Sequence, residues 1–319
     1  MTEKVLSLDN VVKRFGGFAA VDDLSFSVER GEILGFLGPN GAGKTTTLRM
    51  ILDIIPPTSG AISVLGSSSA IPVRHRIGYL PEERGLYRKM RAADTIAYFA
   101  KLRGVPGRAA RKKANDLLER FGLKDFARSK NEALSKGMAQ KVQLLSTIAH
   151  EPELLILDEP FSGLDPLNQA TLEDLIRELK REGRTIIFST HVMQHAERLC
   201  DRFLIIAKGK KRFDGDIKEA RASFPPRLII RTTDNIDRLR HAPGVKRITP
   251  IDGAAGAETD YEIGLAPGAD PQVVLKAAFE AGIRLSRFEH ASATLHDIFV
   301  ALAGDKGAAE LEAPSEEAA

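Results

Sequence analysis

The chain has 319 residues and 43% hydrophobic content, enough for about two domains of ~150 residues and a sizeable buried core. Its 46 Lys and Arg against 43 Asp and Glu leave a net charge of +3, which excludes a bulk positive field and points to no nucleic-acid partner. One cysteine, Cys200, excludes an internal disulfide, and its setting in QHAERLCDRF reads as the apolar side of a helix and a buried structural thiol.

The amino-terminal MTEKVLSLDNVV alternates acidic and basic residues without an apolar core, so no secretory signal and a cytoplasmic location are expected. Residues 3 to 37 alternate strand-like runs, KVLSLDNVV, LSFSVE and EILGFLG, with turns, and the third run leads into a glycine loop and the helical TTTLRMILDII. From about 86 to 150 the pattern turns helical, in ADTIAYFAKLRG, RKKANDLLERFG and QKVQLLSTIAH. Buried strands LLILD, TIIFST and RFLIIA follow, with the helical NQATLEDLIRELKREG between the first two. Strands alternating with helices predict a largely parallel sheet carrying an inserted helical block. No apolar run approaches the ~20 residues that span a bilayer, so a membrane role is expected to pass through another polypeptide.

Two prolines in SFPPRLII interrupt a helix and open a fresh strand, which sets a domain boundary near 224. Beyond it the pattern predicts strand 227–233, a helix near 235–241, strands 245–251 and 260–265, helix 271–281, strand 284–289 and the helix LHDIFVALA. This β-α-β-β-α-β order suggests a ferredoxin-like sandwich. The remaining GDKGAAELEAPSEEAA is acidic and lacks aromatic residues, and reads as disordered. The basic runs RAARKK at 108–113 and KGKKR at 208–212 read as solvated faces.

The chemistry concentrates at three places. GPNGAGKTT, comprising Gly38, Pro39, Asn40, Gly41, Ala42, Gly43, Lys44, Thr45 and Thr46, fits G-x-x-x-x-G-K-[ST] between a strand and a helix. Its glycines let successive NH groups face inward, Lys44 supplies a point charge for β and γ phosphates, and Thr45 offers a hydroxyl to Mg²⁺. LLILDEP ends a strand with Asp158, suited to hold Mg²⁺, and Glu159, suited to polarise the water that attacks the γ-phosphate. IIFSTH repeats the arrangement, bringing His191 to the carboxyl end of the next strand, within reach of the γ-phosphate. Finally, ALSKGMAQK presents a serine and a glycine at the mouth of a helix.

With that stretch the chain resembles the ATP-binding cassette ATPases over residues 3 to about 222: Leu134, Ser135, Lys136, Gly137 and Met138 stand where the family signature reads Leu-Ser-Gly-Gly-Gln. The resemblance implies an α/β P-loop NTPase fold of ABC type, with a mixed sheet core, an antiparallel β subdomain and a helical subdomain at about 84–150. The expected division is 1–223 for the ATPase, 224–304 for the ferredoxin-like α+β domain and 305–319 for the tail. Two cassettes would lie head to tail, with Ser135 and Gly137 closing over ATP held by the partner's P-loop. By the same resemblance Phe15 stacks on adenine, Val21 adds an apolar contact, and Asp165 lies in the loop crossing the dimer seam. Glu82, in IGYLPEERGLY, stands where the family usually has a glutamine that touches Mg²⁺ and the attacking water and links to the membrane partner. Two departures stand out: Glu82 adds a carboxylate beside the phosphate, and Lys136 adds a cation near the partner's γ-phosphate.

IGYLPEERGLY, LSKGMAQK and ATLHDIFVALAG are most similar to bacterial exporter-type cassettes of the antibiotic-resistance and sodium-efflux group, which carry a small carboxyl-terminal domain. The implied function is ATP hydrolysis by a cassette dimer, most simply a homodimer, attached to integral membrane permease subunits at the inner face of the membrane. Two other readings remain at this point: a soluble cassette protein that switches a nucleic-acid machine, and a regulator whose carboxyl-terminal sandwich binds a ligand.

Overall fold

The computed structural model describes residues 3–83, 85–224, 226–252, 258–266 and 268–303. The chain divides into two compact units, one built on Met1–Asp216 and the other on Ile217–Val300.

In the first unit β1 (Lys4–Phe15) and β2 (Phe18–Glu29) form an antiparallel hairpin. Its two-residue turn has Gly16 at φ +57°, a conformation that costs glycine least. Phe15 and Phe18 face each other across that turn. Next come β3 (Ile33–Leu37), α1 (Lys44–Ile51), β4 (Ser59–Val64), which returns to β1, and β5 (Ile77–Leu80). The helical insertion consists of α2 (Ala92–Leu102), α3 (Gly107–Arg120) and α4 (Lys136–Ile148). After it the chain runs through β6 (Leu154–Asp158), α5 (Pro166–Arg181), β7 (Thr185–Thr190), α6 (Met193–Leu199), β8 (Arg202–Ala207) and β9 (Lys210–Gly215).

Among the described residues the order β2-β1-β4 makes an antiparallel sheet, and β5-β6-β7-β3-β8-β9 makes a mixed one. Every pair in the second is parallel except β8 with β9. Every residue of β3, β6 and β7 is buried, as expected for strands covered on both faces. Val5, Leu8 and Leu24 of the hairpin share one core with Phe36, Leu48, Ile187 and Leu204, so the two sheets pack as one body. Register does the rest: Asp158 pairs with Ser189 and Leu37 with Thr190, which brings the carboxyl ends of β3, β6 and β7 to one edge. Cys200 corrects its sequence reading, for it is the residue that closes α6 and not a position on the helix. Its sulfur packs where a Cβ on Gly35 would lie, only 2.7 Å away.

The second unit begins with α7 (Ile217–Ala222) and contains β10 (Arg227–Thr232), β11 (Val245–Asp252), β12 (Thr259–Leu265), α8 (Pro271–Glu280), β13 (Arg287–Ala291) and α9 (Leu295–Ala303). The sheet order β11-β12-β10-β13, antiparallel throughout, is the ferredoxin-like order. Leu228, Ile230, Ile263 and Leu265 form its core with Val274 and Ala278 of α8. Two predicted elements differ. Asp237–His241 is a 3-10 segment rather than an α-helix, tightened by the Asn235 side-chain Oδ1 accepting from Asp237 N–H at 2.7 Å and by Leu239 N–H bonding to Ile236 O at 2.8 Å. The last strand starts at Arg287, not 284, because Arg284 N–H is bound to Asp234 Oδ2 at 2.8 Å and is unavailable to the ladder. The predicted tail, 305–319, lies outside the described residues.

Candidate nucleotide site

At the shared sheet edge the P-loop, the hairpin tip and the ends of β6 and β7 enclose an open cleft. Its floor is the loop before α1. Gly43 has φ +104°, and a Cβ there would meet Ala20 O at 2.4 Å, so only glycine fits. Gly38 is equally confined, since a Cβ there would lie 2.6 Å from Ile206 O. Lys44, 7% exposed, donates from Nζ to Gly38 O at 2.5 Å and to Pro39 O at 3.2 Å. Burial pushes its ammonium below the ordinary lysine range, while Glu159, Asp158 and Glu82 oppose that shift. The first turn of α1 holds no acidic residue and has no side-chain cap, so its positive end faces the cleft unopposed.

The carboxylate wall is equally defined. Asp158, 2% exposed, accepts from Thr45 Oγ1 at 3.4 Å on one oxygen and from Ser189 Oγ on the other. Glu159 lies just beyond the strand at φ +49°, in the left-handed region, and is held there by its N–H donating to Ser189 O at 3.2 Å and Ser189 Oγ at 3.1 Å. Its Oε2 is 3.0 Å from Nδ1 of His191. Glu82 is exposed and lines the same cleft.

Mg²⁺ takes hard oxygen donors and is held by one or two protein groups together with substrate phosphates. Thr45, Asp158 and Glu82 supply such donors.

The cleft lining joins Phe15, Pro39, Asn40, Gly41, Gly43, Lys44, Thr45, Thr46, Glu82, Asp158, Glu159 and His191, drawn from five separate stretches of sequence. Ala42 and Gly38 are buried behind the loop. Val21 is fully buried, and Ala20 borders the cleft instead. Phe18, which sequence reasoning missed, completes the hairpin tip: it is 65% exposed beside Phe15 at 53%. The signal was present in Phe-Gly-Gly-Phe, since a two-residue turn sets its flanking residues opposite each other.

Ser135, Gly137 and Asp165 do not reach the cleft. Ser135 caps α4, its Oγ accepting from Met138 N–H at 3.3 Å. Asp165 caps α5, accepting from Asn168 N–H at 2.9 Å and from its side-chain amide at 2.6 Å. These bonds to Asn168 hold the Asp165 carboxyl below the usual carboxylate range. A Cβ on Gly137 would lie 3.1 Å from the same Asn168 amide, so the two helix starts adjoin and form a second, separate group. Lys136 borders a further cavity together with Glu82, Asp158 and Glu159 of its own chain.

Residues 21–162 match the family model described as ABC transporter, and residues 215–303 match the one described as ATP-binding protein DrrA1-3-like, C-terminal domain. Over 301 residues the chain is 40% identical to the uncharacterized ABC transporter ATP-binding protein YhaQ of Bacillus subtilis (strain 168), a match covering 94% of this chain and 99% of that relative. The chain belongs to the ATP-binding proteins of ABC transporters. This ABC ATP-binding protein is also 33% identical over 316 residues to the daunorubicin resistance ATP-binding protein DrrA3 of Streptomyces coeruleorubidus, across 96% of this chain and 98% of the relative. A solved structure described as the ATP binding subunit of an ABC transporter matches it with a TM-score of 0.64 at 34% identity, covering 68% of this chain and 92% of that one. ABC membership carries ATP binding and ATPase activity with it. Among the described residues of this ABC protein, no helix is long and apolar enough to cross a membrane.

Proposed function

We propose that this chain is the ATP-hydrolysing subunit of a bacterial ABC exporter, acting as a head-to-tail cassette dimer at the cytoplasmic face of the membrane and driving separately encoded permease chains. The observation that carries this reading is the separation, within one chain, of the Lys44 cleft from the exposed helix start at Ser135 and Gly137. Each half is incomplete alone. A second copy, turned about a two-fold axis, gives each cleft the helix end it lacks.

In that dimer the adenine stacks on Phe15 with Phe18 beside it, and Lys44 and the start of α1 hold the β and γ phosphates. Glu159 accepts a proton from water as the water oxygen bonds to the γ-phosphorus and the bond from that phosphorus to the β–γ bridging oxygen breaks, leaving ADP and phosphate. His191, braced at 3.0 Å by Glu159, faces the γ-phosphate and steadies the charge that develops there. Mg²⁺, when bound, would be held by Thr45 and Asp158 with Glu82 alongside, and would neutralise charge on the β and γ oxygens.

For the permease we propose the helical insertion as the seat. Tyr87, Tyr98 and Phe99 form an aromatic cluster there, with ring centroids 5.6 to 6.3 Å apart. Tyr87 is 52% and Tyr98 38% exposed, and exposed aromatic patches mark interaction surfaces. The segment that follows Glu82 is tied to α4 by Gln143 Nε2 donating to Glu83 O at 3.3 Å, which links this surface to the cleft.

The test is Glu159→Gln. It is expected to bind ATP, to lose turnover by about a hundredfold or more, and to elute as an ATP-loaded dimer. Hydrolysis at the parental rate would remove Glu159 as the base. Export direction is read from ATP-dependent transport in vesicles of known orientation containing the permease.

A further inference from the structure

Beyond the 3.0 Å contact between Glu159 and His191, the same two segments meet a second time. The rings of Phe161 and His195 lie 4.0 Å apart between centroids and 9° from parallel. Both are buried, at 3% and 4% exposure. Phe161 is two residues past Glu159; His195 is four past His191, on α6. The imidazole Nδ1 is 2.8 Å from Glu173 Oε1 on α5. Glu173 also meets Arg177 of α5 at 3.2 Å and Arg198 of α6 at 3.4 Å, so this buried carboxylate is fully engaged and fixes the plane of the ring. Phe161 is held from its other side by Phe188 of β7, with centroids 6.0 Å apart at 72°.

Ser189 holds the Glu159 backbone, but the Glu159–His191 contact lacks such support at its His191 end. The His191 side chain is 59% exposed, and Glu159 sits in a left-handed backbone conformation at the end of its strand. Nothing in that pair alone keeps an exposed imidazole at hydrogen-bond distance when α6 shifts. The buried stack does so, because sliding α6 would drag Phe161, and with it the turn that carries Glu159.

We infer that His195 is a positioning residue: its ring, oriented by Glu173 and stacked on Phe161, sets the spacing between Glu159 and His191. This rests on the proposed roles of those two residues. The stack is part of neither the P-loop nor the cleft lining, so its loss should act on the chemical step and spare ATP binding.

The experiment is steady-state kinetics on the full chain, with melting temperatures measured in parallel. His195→Leu and Phe161→Leu are each expected to lower kcat about ten- to a hundredfold while KM for ATP stays within about twofold. His195→Phe keeps the ring, leaves Glu173 with its two arginines, and restores most of kcat. His195→Gln keeps a hydrogen-bonding group without the ring and does not. The double Leu variant falls no further than either single one, because both remove one contact. Unchanged kcat in the Leu variants, additive losses in the double, or a kcat that tracks melting temperature instead of the ring at position 195 would overturn the inference. Glu159→Gln in the same assay separates the failures: if it is inactive while the Leu variants are unaffected, the inference alone is lost, whereas full turnover rejects the reading beneath it.

Discussion

Lys44 Nζ donates to the carbonyl of Gly38, 2.5 Å away in the same loop. The lysine thus closes the cradle on itself, and the phosphate-facing charge is held in place before any ligand arrives. Lys44→Ala removes that charge and takes its donor from the Gly38 carbonyl, while the Pro39 carbonyl keeps the bond from Ala42 N–H at 3.1 Å. Nucleotide affinity should drop more than about tenfold, since hydrogen bonds to charged groups are worth on the order of 1.5–3 kcal/mol. Direct calorimetric titration checks it; unchanged affinity would separate the cleft from nucleotide binding.

The separation of Ser135 from the Lys44 cleft permits a complementation test. Lys44→Ala and Ser135→Arg should each be almost inactive as pure proteins. Their mixture should recover activity, because a mixed dimer contains one cleft with an intact lysine facing an intact serine. Recovery should rise with protein concentration, and a mixture no more active than its parts argues against a two-chain site.

Lys136 stands at the first turn of α4, where a cation opposes the helix dipole and no acidic neighbour in that turn offsets it. It borders a cavity with Glu82, Asp158 and Glu159, so its charge faces anions of its own chain as well as any γ-phosphate across a dimer seam. Lys136→Ala is expected to weaken ATP-induced dimerisation and to flatten its salt dependence, both visible by light scattering at low and high salt. Equal dimerisation at both salt levels in variant and parent would remove this role.

Glu153 joins Arg76 and Arg30 just before β6. Hydrogen bonds from Arg76 first, and then Arg30, hold its carboxyl down to about 2 from an ordinary 4.5. A depressed carboxylate adds stability that is present above the unfolded value and lost as pH falls through the folded one. Because the side chain is about one-third exposed, solvent screening limits the effect to about 1 kcal/mol. Glu153→Gln should therefore be less stable than the parent at pH 7, with the gap closing between about pH 4.5 and about pH 2; urea unfolding across that range measures it.

How far the sequence reached depended on the range of the interaction being read. Gly38 to Thr46 was legible because one strand, one loop and one helix contain the whole device. The caps at Ser135 and Asp165 are local in the same way, each completed within three residues. The second unit's strand order also followed from its element order, since a β-α-β-β-α-β chain has few compact closures. The short strands β4, β5 and β9 escaped notice, being defined by partners far along the chain more than by their own pattern.

The sequence by itself determined that a phosphate loop, an acidic strand end and a capped helix start exist here, because each rests on neighbouring residues and local backbone geometry. Only the tertiary structure decided which of them meet. It joined Glu159 to His191, stacked Phe161 on His195, brought Lys136 to Glu82, buried Val21 and left Phe18 facing the cleft. Those outcomes depend on sheet register and helix packing, where residues dozens of positions apart become neighbours and no local pattern specifies the partner.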